Sequence, residues 1–270
     1  MRSDHVQQHL DVVYRVPDTG KALMLDLFVP PAVAAAPLVV FVHGGAFRMG
    51  DRTMLSRLLV DLGAFEWLPL HGFAVASVDY RLSSEAHWPA CVDDIDAALR
   101  WLLEHGRGYG IDTSRVAIWG ESAGGYLALM SGLAAAERSD AIRGLIDWYA
   151  PVNFFTMAAH GAPRTDEPDS PESELLGAPV QTVPELADRA NPCRRVRPSS
   201  PPLLIMHGAA DTDVPFAQAV ELSNAYRAAG ASVDLTAVEH GRHLFPGEDP
   251  TELGEVVLRF LNRVLAPVRR

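Results

Sequence analysis

The strongest chemical signal in the chain is Gly120-Glu121-Ser122-Ala123-Gly124. A serine flanked by small residues, set between the β-like run 115–119 and the Ala/Leu-rich helical run 123–136, sits on a sharp strand-to-helix turn. The small neighbours are needed because such a turn leaves no room for side chains. The turn would lift the Ser122 hydroxyl clear of the backbone and set the amide of Ala123 at a helix start, where free N–H groups favour negative charge. That is the chemistry of a nucleophile attacking a carbonyl. A second segment fits the same reaction. His43-Gly44-Gly45-Ala46-Phe47 follows the apolar run 37–42 directly. A Gly-rich loop after a strand presents backbone amides at close range, as the oxyanion of a tetrahedral intermediate requires. Gly45, Ala46 and Ala123 are the expected oxyanion donors; Gly44 is expected to permit the turn.

A serine hydroxyl needs a base, and the base needs an acid to hold its tautomer. For a nucleophile on this type of turn the chain order is Ser, acid, His. Four histidines follow Ser122: His160, His207, His240 and His243. His160 falls in an irregular stretch, and His207 ends a strand in a packing or loop-bracing position. His243, in Glu239-His240-Gly241-Arg242-His243, is the preferred base, with His240 the alternative. In Asp211-Thr212-Asp213-Val214-Pro215 the preferred acid is Asp211. Asp213 also fits, or could serve the start of the helix that follows. Ser122, Asp211 and His243 are far apart in sequence, so only tertiary folding can assemble them. Glu121 flanks the nucleophile with little room to act as a base. Asp93, Asp94 and Asp96 stand near a helix start, where they suit the helix dipole.

The elements that must hold these residues alternate between short apolar runs and helical patterns, the signature of a mostly parallel sheet wrapped by helices. Strands are expected at 37–42, 73–78, 115–119, 144–149, 203–206 and 232–238, the last near a sheet edge. Residues 8–15 and 23–29 read as an antiparallel edge hairpin around Pro17-Asp18-Thr19-Gly20. Helices are expected at 90–104, 123–136, 216–229 and 252–264. Residues 151–200 break the rhythm with many Pro, Asp, Glu and Ser residues. Apolar positions punctuate the stretch, so it reads as an insertion over the sheet edge, a candidate lid or substrate wall, rather than a disordered linker. The whole chain, 1–270, reads as one α/β domain.

The net charge of −11 disfavours nucleic acid and anionic membranes as partners. No run is long and apolar enough for a membrane span, and the polar first residues do not form a signal peptide; the expected location is cytoplasmic. Cys91 and Cys193 are expected as buried free thiols. No His/Cys/Asp/Glu spacing fits a metal, and no Gly-rich segment fits a phosphate or dinucleotide loop, so no cofactor is expected.

Five segments together, HGGAF at 43–47, DYRLSSEAHWPACVDDIDAALRWL at 79–102, GESAGG at 120–125, HGAADTDVP at 207–215 and HGRHLF at 240–245, resemble the α/β-hydrolase superfamily. Within it they look like the esterase/lipase branch with the His-Gly-Gly oxyanion motif, which includes hormone-sensitive-lipase-like and bacterial feruloyl-esterase-like enzymes. The resemblance spans roughly residues 20–265. It implies an α/β-hydrolase fold, the triad Ser122, Asp211 and His243, and the oxyanion amides of Gly45, Ala46 and Ala123. It also implies a bracing role for Asp79, Tyr80 and Arg81 beneath the oxyanion loop. Ala46 stands where many relatives have a third glycine, so its methyl should narrow the acyl site. The expected activity is hydrolysis of small-molecule carboxylic esters, short-chain or small aromatic, through an acyl-enzyme. An amidase of the same fold, such as an arylformamidase-like enzyme, is the nearest alternative, and a non-catalytic ligand-binding protein a remote one. Oligomeric state stays open, a homodimer included.

Overall fold

The computed structural model describes residues 5–18, 20–31, 33, 35–162 and 164–267. The described residues form eight strands: β1 Gln7–Arg15, β2 Leu23–Val29, β3 Ala36–Val42, β4 Ala74–Val78, β5 Ile111–Glu121, β6 Ile142–Trp148, β7 Leu203–Gly208 and β8 Val233–Val238. They form one sheet in the order β1-β2-β4-β3-β5-β6-β7-β8. The six strands from β3 onward pair in parallel, while β1 and β2 are antiparallel to their neighbours. This is the sheet of the α/β-hydrolase fold. The expected hairpin is present at one edge; Gly20 N–H donates to Pro17 O at 2.8 Å, and Thr19 of that turn lies outside the described residues.

Among the described residues nine α-helices accompany the strands: α1 Arg57–Leu62, α2 Ala64–Leu70, α3 Ala90–His105, α4 Ala123–Ala136, α5 Phe154–Met157, α6 Pro171–Leu176, α7 Pro184–Arg189, α8 Ala217–Ala229 and α9 Pro250–Val264. Strand alternation divides the core between two faces. On one face Val39, Phe41, Trp119 and Trp148 pack with Leu59, Leu68, Val257 and Leu261 of α1, α2 and α9. On the other, Leu38, Val40, Ile118 and Ile205 pack with Leu99, Leu127 and Leu222 of α3, α4 and α8. Helices α1 and α2 carry no long periodic run. Ser56 caps α1 through the Leu59 amide, left-handed Gly63 ends it, and Pro69 lies in the last turn of α2.

Residues 151–200 fold into short helices between β6 and β7 rather than a linker. Phe154, Met157, Leu175 and Val180 are buried in the core that α3, α4 and α8 share, and Tyr126 of α4 donates to Ala190 O at 2.8 Å. Cys91 is buried and Cys193 half-buried, both as free thiols.

Candidate active site

The candidate site sits at the C-terminal ends of β3, β5, β6 and β7, where open parallel sheets leave a crevice. Ser122 follows β5 and has φ 51° and ψ −120°, a conformation that costs roughly 1–3 kcal/mol and persists only where its surroundings impose it. Here they do. Ser122 N–H donates to Trp148 O at 2.8 Å. A methyl on Gly120 would lie 2.1 Å from Gly124 O, and one on Gly124 would lie 2.1 Å from Val42 O. The turn is therefore pressed against both its own helix and the end of β3, and only glycine fits at 120 and 124.

His243 and Asp211 arrive on the loops after β8 and β7. His243 Nε2 lies 3.0 Å from Ser122 Oγ, and His243 Nδ1 lies 2.7 Å from Asp211 Oδ2. Oδ1 of the same carboxylate accepts the amides of Asp213 and Val214, each at 2.9 Å. Burial alone would raise the Asp211 carboxyl. Hydrogen bonds from His207 and His243, the His243 charge and the Val214 amide outweigh it and hold the group far below the ordinary carboxylate range. The imidazole then has its Nδ1 proton on Asp211 and its Nε2 lone pair toward Ser122, the arrangement a general base needs. Of the other candidates, His240 is exposed and His160 is an exposed residue of the 151–200 segment. His207 is fully buried and braces the acid loop, with Nε2 2.8 Å from Val214 O and 3.4 Å from Asp211 Oδ2. Asp213 does not cap α8, whose N-terminus has no side-chain cap.

The HGGAF loop turns over Ser122. Gly45, Ala46 and Phe47 have φ of 108°, 54° and 62°, and a methyl on Gly45 would lie 2.1 Å from Met49 O. The conformational demand thus falls on Gly45. Gly44, expected to permit the turn, instead allows close approach: its Cβ would meet Glu121 O at 3.1 Å and Ser122 Cβ at 3.6 Å. Among the described residues none accepts a hydrogen bond from the amides of Gly45, Ala46 or Ala123. These three residues share one cavity of about 380 Å³ with Ser122 and His243.

The 79–81 segment supports this loop from below. Tyr80 hydroxyl lies 3.0 Å from His43 O and 3.1 Å from Gly44 O, and its ring stacks on His43 at 4.3 Å. Burial lowers His43 to about 4, so its ring is neutral and Nδ1–H donates to Gly44 O at 2.7 Å. Asp79 accepts the Arg52 and Met24 amides at 2.9 and 3.0 Å. Arg81 grips Asp94 with two bonds, at 2.7 and 2.9 Å. Asp94 therefore anchors an ion pair, more than the helix-dipole role its position suggests.

Several residues at the site carry no local sequence signal. Glu121 is buried and binds the Tyr149 hydroxyl and, at 3.3 Å, the Ser56 amide. Burial pushes its carboxyl up against those bonds. Tyr149 stands edge-on to His243 at 4.9 Å; its position just past β6 was the one available hint. Phe47, Met49, Met54, Pro151, Pro171, Glu172, Asp213, Val214 and Leu244 complete the cavity wall. Glu172 belongs to the Pro- and acid-rich stretch that reads as an insertion and candidate substrate wall, within which nothing singles it out.

A strained serine on a strand–helix turn, an acid–imidazole pair and three unpaired amides thus meet around one cavity at the end of an α/β-hydrolase sheet. The chain belongs to the BD-FAE family, whose sequence model matches residues 25–226, within the esterase/lipase group of α/β-hydrolases. It is 28% identical over 246 residues to the esterase LipC of Mycobacterium tuberculosis, covering 85% of this chain and 59% of LipC. It is 30% identical over 242 residues to an ethyl acetate hydrolase of Pseudomonas putida, covering 84% of this chain and 72% of that enzyme. The chain thus spans less than two thirds of LipC. A truncated carbohydrate esterase from gut microbiota has the same fold, with a TM-score of 0.81 at 24% identity over 99% of each chain. No helix among the described residues is long and apolar enough to cross a membrane.

Proposed function

We propose that the chain is a carboxylic-ester hydrolase working through an acyl-enzyme on Ser122. The observation that carries this reading is the unbroken line from Asp211 Oδ2 through His243 to Ser122 Oγ, at 2.7 and 3.0 Å. His243 takes the Ser122 proton as Oγ attacks the ester carbonyl. Asp211 keeps the imidazole in the productive tautomer and stabilises the imidazolium. The oxyanion receives the amides of Gly45, Ala46 and Ala123, worth about 10²-fold or more in rate per donor. The tetrahedral intermediate collapses, the alcohol leaves with the proton from His243, and water cleaves the acyl-enzyme by the same route. Curated relatives named as esterases support the ester reading.

The cavity of about 380 Å³ lies at the small end of ligand pockets, which supports short-chain or small aromatic esters. The methyl of Ala46 narrows it further. The chain acts as one α/β-hydrolase domain, and residues 151–200 serve as a packed wall of its pocket through Pro151, Pro171 and Glu172. Parallel assays of a p-nitrophenyl ester and the matching p-nitroanilide test the reaction class. Turnover of the ester at least about 10²-fold faster is expected; equal or faster cleavage of the amide would assign an amidase instead.

A further inference from the structure

Glu172 is an unexplained group in the pocket. It stands in the first turn of α6 and is 7% exposed. Its carboxyl accepts no hydrogen bond from any other described residue. The cation nearest it in effect is Arg48, whose guanidinium is already engaged by the Glu174 carboxylate, at 2.6 Å, and by Asp169 O. Yet Glu172 lines the cavity that holds Ser122 and His243, and the exposed Asp213 lines the same wall, its carboxylate without a side-chain partner among the described residues. Both residues also border an adjoining cavity of about 390 Å³ on the far side. They therefore stand between the reacting centre and this second cavity, whose two guanidiniums, Arg48 and Arg164, are paired with Glu174 and with Glu167 and Asp169.

A buried carboxyl that takes a hydrogen bond from little more than its own amide is costly, and burial outweighs that bond and the nearby Arg48 charge to raise Glu172 to about 7. A hydroxyl on the substrate would be served as well by a neutral amide side chain, at no such cost. Negative charge is rewarded there only by a positive partner. A second carboxylate on the same wall and a net charge of −11 add attraction of the same sign.

Resting on the ester-hydrolase reading, we propose that Glu172, with Asp213, makes this pocket selective for esters that carry an ammonium group beyond the scissile carbonyl. The cation seats between the two carboxylates while the carbonyl lies over Ser122. Charge-assisted hydrogen bonds hold it there, and its presence keeps Glu172 ionised.

The test compares matched esters with the full-length chain at pH 7 and low salt. One pair is 2-(dimethylamino)ethyl acetate and its neutral isostere 3-methylbutyl acetate, which put the charge on the alcohol side. The other is ethyl 4-(dimethylamino)butanoate and ethyl 5-methylhexanoate, which put it on the acyl side. The ratio of kcat/KM, charged over neutral, should be about tenfold or more for at least one pair. In Glu172→Gln that ratio should fall toward one, and in Asp213→Asn it should fall partway. High salt should shrink the wild-type ratio. A wild-type ratio near one in both pairs overturns the proposal, as does a ratio that Glu172→Gln leaves intact. So does equal preference for 3-hydroxybutyl acetate, which would make Glu172 a hydroxyl-binding group. Activity on the neutral esters that Ser122→Ala abolishes upholds the hydrolase reading in any of these cases. Absence of turnover on every ester overturns both.

Discussion

Asp211→Asn is the most informative single change at the acid position, because the surrounding bonds dictate how the amide must sit. Oδ1 of Asp211 accepts two backbone amides, from Asp213 and Val214, while Oδ2 faces His243 Nδ1. In the variant the side-chain carbonyl keeps the two amides, so its NH₂ points at His243. The imidazole must then accept at Nδ1 and carry its proton on Nε2, directed at Ser122 Oγ. That tautomer cannot act as a base. Rotating the amide restores the useful tautomer but leaves two N–H groups unpaired, at about 1–3 kcal/mol each. The barrier should rise by about 2–6 kcal/mol from this alone, and loss of imidazolium stabilisation pushes the effect to the upper end. The expected fall in kcat on p-nitrophenyl acetate is ~10³–10⁴-fold, in line with triads elsewhere. KM should change little, because Asp211 does not line the cavity. The variant should melt below the wild type, because both backbone bonds survive but the bonds that His207 and His243 make to the carboxylate are lost. A loss in kcat below about tenfold, in a folded variant, would refute the reasoning about the fixed carboxylate.

Other predictions follow from the supports of the site. Tyr80→Phe removes the hydroxyl from His43 O and Gly44 O; it should cost about 1–3 kcal/mol in a urea melt and lower kcat more than it changes KM, and unchanged values of both would remove Tyr80 from the loop's support. Arg81→Met leaves the fully buried Asp94 carboxylate to Arg15 and the amide of residue 81 and should destabilise by about 3–5 kcal/mol; a change below ~1 kcal/mol would contradict a structural ion pair. Glu172 goes from 4.5 to about 7 on folding, so the native state holds the proton more tightly and stability falls as pH rises through that window. Glu172→Gln should therefore be more stable than the wild type at pH 8, by up to ~3 kcal/mol, and show no such gain at pH 4; a pH-independent difference in melting would contradict this.

Much of this was readable before any coordinates, and the reasons are physical. Parallel strands buried on both faces leave continuous apolar runs, so β3 and β4 were placed to within a residue. The strand-to-helix turn at Ser122 shows because Gly120 and Gly124 are forced by backbone contacts, a demand that composition reveals. Helix α4 matched its expected limits. By contrast, α1 and α2 are short and broken by Gly63 and Pro69, too brief for a period to emerge. The role of Gly44 was misjudged, since only coordinates distinguish a glycine needed for φ from one needed for approach. Glu172 was invisible for a different reason. Burial inside an acidic, proline-rich stretch depends on how α6 packs, and nothing local distinguishes a solvated carboxylate from one lining a pocket.

Whether Ser122 is the nucleophile of an ester hydrolase is decided by one paired measurement. Purified wild-type chain and Ser122→Ala are each incubated with p-nitrophenyl acetate and, separately, with a fluorophosphonate probe followed by peptide mapping. The wild type should turn over the ester and carry one phosphonate adduct, on Ser122. The variant, folded as judged by its melting curve, should lose both. Undiminished turnover in Ser122→Ala, or a probe adduct at another residue, would contradict the account.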